Sequence, residues 1–247
     1  MKTSGNTVLI TGGSAGIGLA IAGLLSRQNN KVIITGRNPE RLAAAAQQIP
    51  GLTTIVSDVS NGQDVAKLVA TLQKDFPELN MLINNAGKAY AYDLSATTNI
   101  ADKATDEMVT NYFAVIRLTE QLLPILRQQA EAAIVNVTSI VAFAPGVRLA
   151  TYAASKAALH SFTQSLRHVI APLHVFELMP PLVNTDFSQD IGGSNGIPPQ
   201  QVAEEFFTAL GKNEYEIHVG ATEQIYQLMR SSPAAAFAAM NGISVTA

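Results

Sequence analysis

Short runs of β-branched and aliphatic residues alternate with longer segments of helical period along most of this chain, and no other feature narrows its fold so far. Strands are predicted at Thr7 to Thr11, Lys31 to Thr35, Leu52 to Val56, Met81 to Asn84, Ala132 to Thr138 and Leu173 to Leu178, with a seventh at Tyr215 to Val219. Apolar residues run through these segments without strict alternation, as strands buried on both faces require. Between them, Ala15 to Gln28, Pro39 to Ile49, Gln63 to Phe76, Lys103 to Arg127 and Thr151 to Ile170 fit the period of a helix, and Pro39 and Ser60-Asn61 mark helix starts. The expected fold is α/β, a doubly wound, mostly parallel seven-stranded sheet with helices on both faces, and its ligands bind beyond the carboxyl ends of the strands. The proline- and glycine-rich stretch from Pro180 to Pro199 breaks the rhythm and is expected to be a mobile substrate loop at about 181–200.

At 247 residues and 47% hydrophobic content the chain can build one large core without staples, so residues 1–247 are expected to form a single domain. The cysteine count is zero, which removes disulfides, thiolate metal sites and cysteine nucleophiles together. With 16 Lys and Arg against 19 Asp and Glu there is no basic surplus to hold nucleic acid. Neither a signal-peptide core at the start nor a membrane-length apolar run is present, so a soluble, cytoplasmic protein without a membrane partner is expected.

The first predicted strand runs through Thr11-Gly12-Gly13-Ser14-Ala15-Gly16-Ile17-Gly18 directly into a helix. Glycines at 12, 16 and 18 allow a tight turn, close approach of backbone N–H groups to a pyrophosphate and close helix–strand contact, and the helix N-terminus favours negative charge. The spacing Gly-x-x-x-Gly-x-Gly differs from the commoner G-x-G-x-x-G, and an ordinary βα turn is the plain alternative. Gly12, Ser14 and Gly16 also spell the nucleophile elbow of serine hydrolases, which keeps a hydrolase using Ser14 open. Too little chain precedes Ser14, however, to supply the second oxyanion N–H of that mechanism. At the end of the second strand, where a carboxylate would hold the ribose 2′-hydroxyl of NAD, the chain has Thr35-Gly36-Arg37-Asn38. An arginine there suits a 2′-phosphate, so NADP(H) is favoured over NAD(H), with a solvated loop charge as the plain alternative.

Tyr152 and Lys156 stand at i and i+4, side by side on one helix face, and Ser139 lies upstream at the carboxyl end of the fifth strand. Taken in order, Thr11 to Gly18, Asp58-Val59, Asn84-Asn85-Ala86-Gly87, Asn111, Ser139 and Tyr152/Lys156 resemble the short-chain dehydrogenase/reductase family in its single-domain branch with the TGxxxGxG turn. The first residues and Met179 to Thr185 also resemble bacterial oxidoreductases of lipoteichoic-acid alanylation gene clusters. The family resemblance implies a Rossmann-like fold and a catalytic set of Asn111, Ser139, Tyr152 and Lys156. It also implies cofactor contacts from Gly12, Ser14, Gly16, Ile17, Gly18, Arg37, Asp58, Val59, Asn85, Ala86, Gly87, Tyr152, Lys156, Val183 and Thr185. Tyr152 is then the general acid/base, its phenolate favoured by Lys156 and an oxidised nicotinamide, while Ser139 holds the substrate oxygen. Similar enzymes imply that Lys156 reaches the nicotinamide ribose and that Asn111 supports a water-mediated proton relay to it; the plain alternatives are a polar helix-interior residue at Asn111 and a turn cap at Asp58. The chain departs from the family at Pro180-Pro181, where Pro-Gly is usual, so an N–H-bearing flexible position becomes fixed in φ and loses its donor.

The four histidines, 160, 168, 174 and 218, show no metal-ligand spacing and are expected at the surface or satisfied in the core. Val141, Phe143, Leu149, Leu182 and Phe187 are apolar candidates for a substrate wall, which points to a partly hydrophobic carbonyl or alcohol; packing is the plain alternative, and Phe113, Phe143 and Phe162 are read as core or interface residues rather than an aromatic binding box. Tyr112, Phe113, Ile116, Leu159 and Phe162 are apolar candidates beyond one sheet-facing stripe, and similar proteins associate through these helices, so a homodimer or homotetramer is expected, with packing of all five against the sheet as the plain alternative. A dinucleotide-binding sensor without chemistry remains the other alternative.

Overall fold

The computed structural model describes residues 1–244. Seven strands form one sheet: β1 (Thr7–Thr11), β2 (Lys31–Gly36), β3 (Thr53–Val56), β4 (Leu79–Asn84), β5 (Ala133–Val137), β6 (His174–Met179) and β7 (Glu216–His218). Their order is β3-β2-β1-β4-β5-β6-β7 and every pairing is parallel. The helices are α1 (Gly16–Arg27), α2 (Pro39–Gln48), α3 (Gly62–Asp75), α4 (Ile100–Met108), α5 (Ala114–Leu126), α6 (Ala150–Val169), α7 (Pro199–Lys212), α8 (Thr222–Ser231) and α9 (Pro233–Asn241). This is the Rossmann-like doubly wound arrangement. The order reverses between β1 and β4, so the strand ends open a crevice there.

The alternation of side chains along each strand sorts the core into two halves. Val8, Ile10, Ile34, Met81 and Phe176 face one side, where Leu25 of α1, Leu42 of α2 and Phe206 of α7 cover them. Leu9, Ile33, Leu82, Ile134 and Val175 face the other, under Leu68 of α3, Leu122 of α5 and Leu166 of α6. Both faces of the central strands are thus buried, which explains their unbroken apolar runs. Asn38 caps α2 by accepting from the Arg41 N–H at 2.8 Å ahead of Pro39, and Asn61 caps α3 by accepting from Gln63 and Asp64.

Three stretches differ from the sequence expectation. The helix expected from Lys103 to Arg127 is broken: α4 begins earlier, at Ile100, and a π turn at Val109–Phe113 separates it from α5. The π turn is a single turn with helical backbone on both sides and no breaker residue in it, so helix-forming composition runs straight through it. The loop after β6 holds local structure that its composition does not show. Val183 pairs with Ile197 in a parallel bridge, and Thr185 and Ser188 cap a 3₁₀ turn at Asp186–Ile191 reciprocally. Finally, α7, α8 and α9 fill a region for which the sequence offered only one strand; α7 lies against α1 and completes the first half-core. Among the described residues no helix is long and apolar enough to cross a membrane.

Candidate active site

A cleft of about 990 Å³ runs along the carboxyl ends of the strands. At one end lies the glycine turn, held from behind by the segment after β4. The Asn85 amide donates to the carbonyls of Thr11 at 2.9 Å and Gly12 at 3.1 Å, and the Thr11 hydroxyl accepts from the N–H groups of Asn85 and Ala86. Gly12 has φ +65°, and a Cβ there would come within 2.9 Å of Ala86 Cα; a Cβ on Gly18 would meet the Asn85 amide at 2.5 Å. Asn85 and Ala86 therefore set the turn's shape as well as lining the cleft. Ala15 provides α1 with no side-chain cap, and no acidic residue lies in its first turn. The leading N–H groups and the positive end of the helix dipole are left facing the cleft, a cradle whose chemistry fits a pyrophosphate. Thr185 packs its methyl 3.1 Å from where a Gly16 Cβ would sit, so the loop after β6 closes on the same turn, with Ile17 and Val183 beside it.

Further along this wall, Arg37 stands exposed at the end of β2. Asp58 and Val59 follow β3; the Asp58 carboxylate accepts from the Ser60 N–H at 2.9 Å and hydroxyl at 2.6 Å, so it caps its turn while lining the cleft. The Ser14 hydroxyl lies against Gly36, and among the described residues no histidine lines the cleft, so a hydrolase built on Ser14 finds no histidine base among them.

At the other end Ser139, Tyr152 and Lys156 are all buried on one wall of the cleft. Lys156 donates to the Val137 carbonyl at 2.8 Å and its Nζ sits 5.7 Å from the centre of the Tyr152 ring. Burial raises the Tyr152 phenol well above its ordinary range, and the hydrogen bond with Ser139 opposes that only in part. The nearby Glu107 charge pushes the phenol in the same direction as burial. Burial also lowers Lys156, to about 8, against the opposing charge of Glu177. Asn111 sits fully buried in the π turn. Its side chain accepts from the Lys88 N–H at 2.8 Å and donates to the Lys88 carbonyl at 2.8 Å and to Ser155 at 2.9 Å, tying the loop after β4 to α6 beside Gly87.

The short chain dehydrogenase family profile matches residues 6–195, most of the chain, and covers both the glycine turn and the Tyr152/Lys156 pair. The chain belongs to the short-chain dehydrogenase family. It is similar to the uncharacterized oxidoreductase DltE of Bacillus subtilis, at 38% identity over 98% of both chains. An uncharacterized oxidoreductase of Staphylococcus saprophyticus is 32% identical over 87% of this chain and 94% of its own. Among solved structures, a short chain dehydrogenase from Burkholderia cenocepacia in complex with NADP matches with a TM-score of 0.86 at 25% identity, over 97% of this chain and 99% of that one. A Burkholderia phymatum relative in complex with NAD has the same TM-score of 0.86 at 20% identity, over 100% of this chain and 98% of that one, and speaks for the fold alone.

Some residues of this short-chain dehydrogenase's cleft were not read from the sequence. Arg41, one turn into α2, lines the cleft near Arg37 and reaches Asp186 at 3.5 Å; with both partners more than half exposed, that pair contributes at most about 1 kcal/mol and leaves the guanidinium available. Lys88 lines the cleft while paired with Asp106, which also accepts from the Tyr90 hydroxyl. Met240 lines the cleft, and Asn241 accepts from the Val147 N–H at 2.7 Å and donates to the Pro145 carbonyl, pinning α9 over that loop. The Arg37–Arg41 spacing was visible in the sequence; the return of α9 was not, because no local pattern encodes it. Val141, Leu149, Leu182 and Phe187 do line the cleft, and Phe187 faces the Tyr152 ring at 6.0 Å. Phe143 does not: it packs among His160, His218 and Tyr226, behind the wall. Pro181 lines the cleft in the loop after β6, and Pro180 accepts from the Ile140 N–H at 3.0 Å.

Proposed function

We propose that the chain is an NADP(H)-dependent oxidoreductase that transfers a hydride between nicotinamide and a carbonyl or alcohol carbon, with Tyr152 as general acid/base. One observation carries this reading: a single cleft joins the glycine cradle at one end to Ser139, Tyr152 and Lys156 at the other. A bound nicotinamide supplies the hydride. Ser139 holds the substrate oxygen, and Tyr152, kept protonated by burial, donates the proton that a reduced carbonyl oxygen needs. Lys156 stabilises the resulting phenolate and Asn111 fixes the backbone around it. The reverse path, alcohol oxidation, begins with the tyrosine deprotonated and is served at higher pH. The apolar wall of Val141, Leu149, Leu182 and Phe187 favours a partly hydrophobic substrate. A sensor that only bound dinucleotide would need none of the buried Ser139, Tyr152 and Lys156 set. The test is an initial-rate screen of aldehydes, ketones and alcohols with NADPH, NADP, NADH and NAD. Turnover of at least one carbonyl with NADPH supports the proposal; cofactor binding with no turnover across the panel favours the sensor.

The same proposal extends to assembly and location: the whole chain works as one domain, in the cytoplasm, as a homodimer or homotetramer. Phe113 is 50% exposed and stacks edge-on with Tyr112, which in turn meets Phe162 at 6.1 Å, leaving an aromatic patch beside α5 and α6. Leu159, named with them from the sequence, is buried and packs inward. Light scattering at micromolar concentration is expected to give the mass of two or four chains, and Phe113→Asp to shift it toward one. A wild-type protein that stays monomeric and active rejects the assembly.

A further inference from the structure

The face of β6 under α6 carries a feature that hydride transfer does not by itself require. Glu177 lies in the middle of the strand between Phe176 and Leu178, fully buried like both of them. Strand alternation turns Glu177 to the side of Val175, away from Phe176 and Leu178 and toward α6. Its carboxylate accepts from the Thr138 hydroxyl at 2.7 Å and lies 2.9 and 3.0 Å from His160 Nδ1. A buried carboxylate is tolerated where it meets charge and hydrogen bonds, and an aliphatic side chain would fill that position at less cost.

Its surroundings tie it to the reaction centre at both ends. Thr138 immediately precedes Ser139, and Val137, one residue earlier, holds the Lys156 ammonium. On α6, Tyr152, Lys156 and His160 follow at successive i+4 steps, so all three share the helix face over β5 and β6. We propose that Glu177 is a positioning residue for the proton-transfer pair: from β6, on the α6 side of the sheet, its buried carboxylate acts on the Lys156 ammonium, and His160 sets how much of that negative charge Lys156 feels.

The charged groups around this cluster give the sign. The Glu177 charge on β6 acts on Lys156, which lies beside the Tyr152 ring on its own helix, and Glu107 on α4 acts on Tyr152. His160 faces Glu177, Glu216 on β7 and Arg167 on α6, and the hydrogen bond to Glu177 raises it above the usual histidine range. At low pH a protonated His160 offsets the Glu177 charge, but there Lys156 holds its proton unaided. As pH rises His160 becomes neutral, and the full carboxylate acts on Lys156 where burial alone would begin to strip its proton.

This inference rests on Tyr152 and Lys156 being the proton-transfer pair, and its first test is independent of turnover. The full-length protein, labelled with ¹³Cε-lysine, is titrated by NMR, with the Lys156 resonance assigned from Lys156→Arg. The wild-type Lys156 is expected to titrate near pH 8. Glu177→Gln is expected to lower that midpoint by about one pH unit, while Glu177→Asp, which keeps the charge, stays within about 0.3. Should Glu177→Gln not fold, His160→Lys places a lasting positive charge against Glu177 from a side chain that is 20% exposed, and the Lys156 midpoint is expected to fall in the same direction. In NADPH-driven carbonyl reduction the alkaline limb of the rate is expected to move down in step, with the plateau at lower pH retained. A Lys156 midpoint unchanged in the folded variants, with activity lost evenly at every pH, overturns the proposal. Absence of carbonyl reduction in the wild type would instead reject the functional reading, and the NMR titration would still decide the role of Glu177.

Discussion

Tyr152→Phe is expected to lower carbonyl reduction by at least ~10²-fold while leaving cofactor affinity within a few-fold of the wild type. The substitution removes one hydroxyl from a ring that is buried against Ile140, Val141 and Ala153, so packing survives and only the transferable proton is lost. Burial keeps that proton on the phenol at neutral pH, which gives the effect a direction: reduction requires the protonated form and oxidation the ionised one. The measurement is kcat and KM on a carbonyl that the wild type turns over, together with NADPH fluorescence on binding. A variant with near-normal kcat would remove Tyr152 from the mechanism. A variant that also fails to bind NADPH would point to a structural role.

Arg37→Ala is expected to weaken NADPH binding by roughly 10- to 100-fold and NADH binding by much less, since a guanidinium gains a charge-assisted, bidentate bond only where a phosphate is present. Arg37 is exposed at the end of β2 with no carboxylate beside it in Thr35-Gly36-Arg37-Asn38 to serve a ribose hydroxyl. Arg41 lies one turn away and its pairing with the exposed Asp186 is weak, so Arg37→Ala/Arg41→Ala is expected to lose more NADPH affinity than either substitution alone. Affinities of both reduced cofactors, measured by fluorescence at one ionic strength, decide the point. Equal wild-type affinity for NADPH and NADH would reject the assigned preference.

The sheet was legible because both faces of its central strands are buried, so each of those announces itself as an apolar run. The glycine turn was legible because its shape demands residues without a Cβ; at Gly12 and Gly18 the space beside Ala86 and Asn85 is closed to one. Tyr152 and Lys156 could be paired because a helix brings i and i+4 together. What sequence periodicity did not carry was placement set by long-range contacts. The π turn that buries Asn111 differs from a helix by one residue, and the loop at 181–200 is held by the Val183–Ile197 bridge, whose partners lie far apart in a segment rich in proline and glycine. Phe143 was drawn toward the cleft by its nearness to Ser139 in the chain, whereas the aromatic cluster behind the wall claims it. Glu177 lay unmarked within a predicted strand, and only the fold brings Thr138 and His160 to it.

The account's central claim is that one cleft brings a reduced nicotinamide and a carbonyl carbon together under Tyr152. Its most direct measurement follows the transferred atom: the full-length protein is incubated with NADPH deuterated at C4, in separate preparations for each face of the ring, and a carbonyl from the active panel. The account predicts one deuterium on the carbinol carbon of the product from one of the two preparations, no label from the other, and loss of the labelled product in Tyr152→Phe. Alcohol formed without label from either preparation, or labelled equally by wild type and Tyr152→Phe, would contradict it.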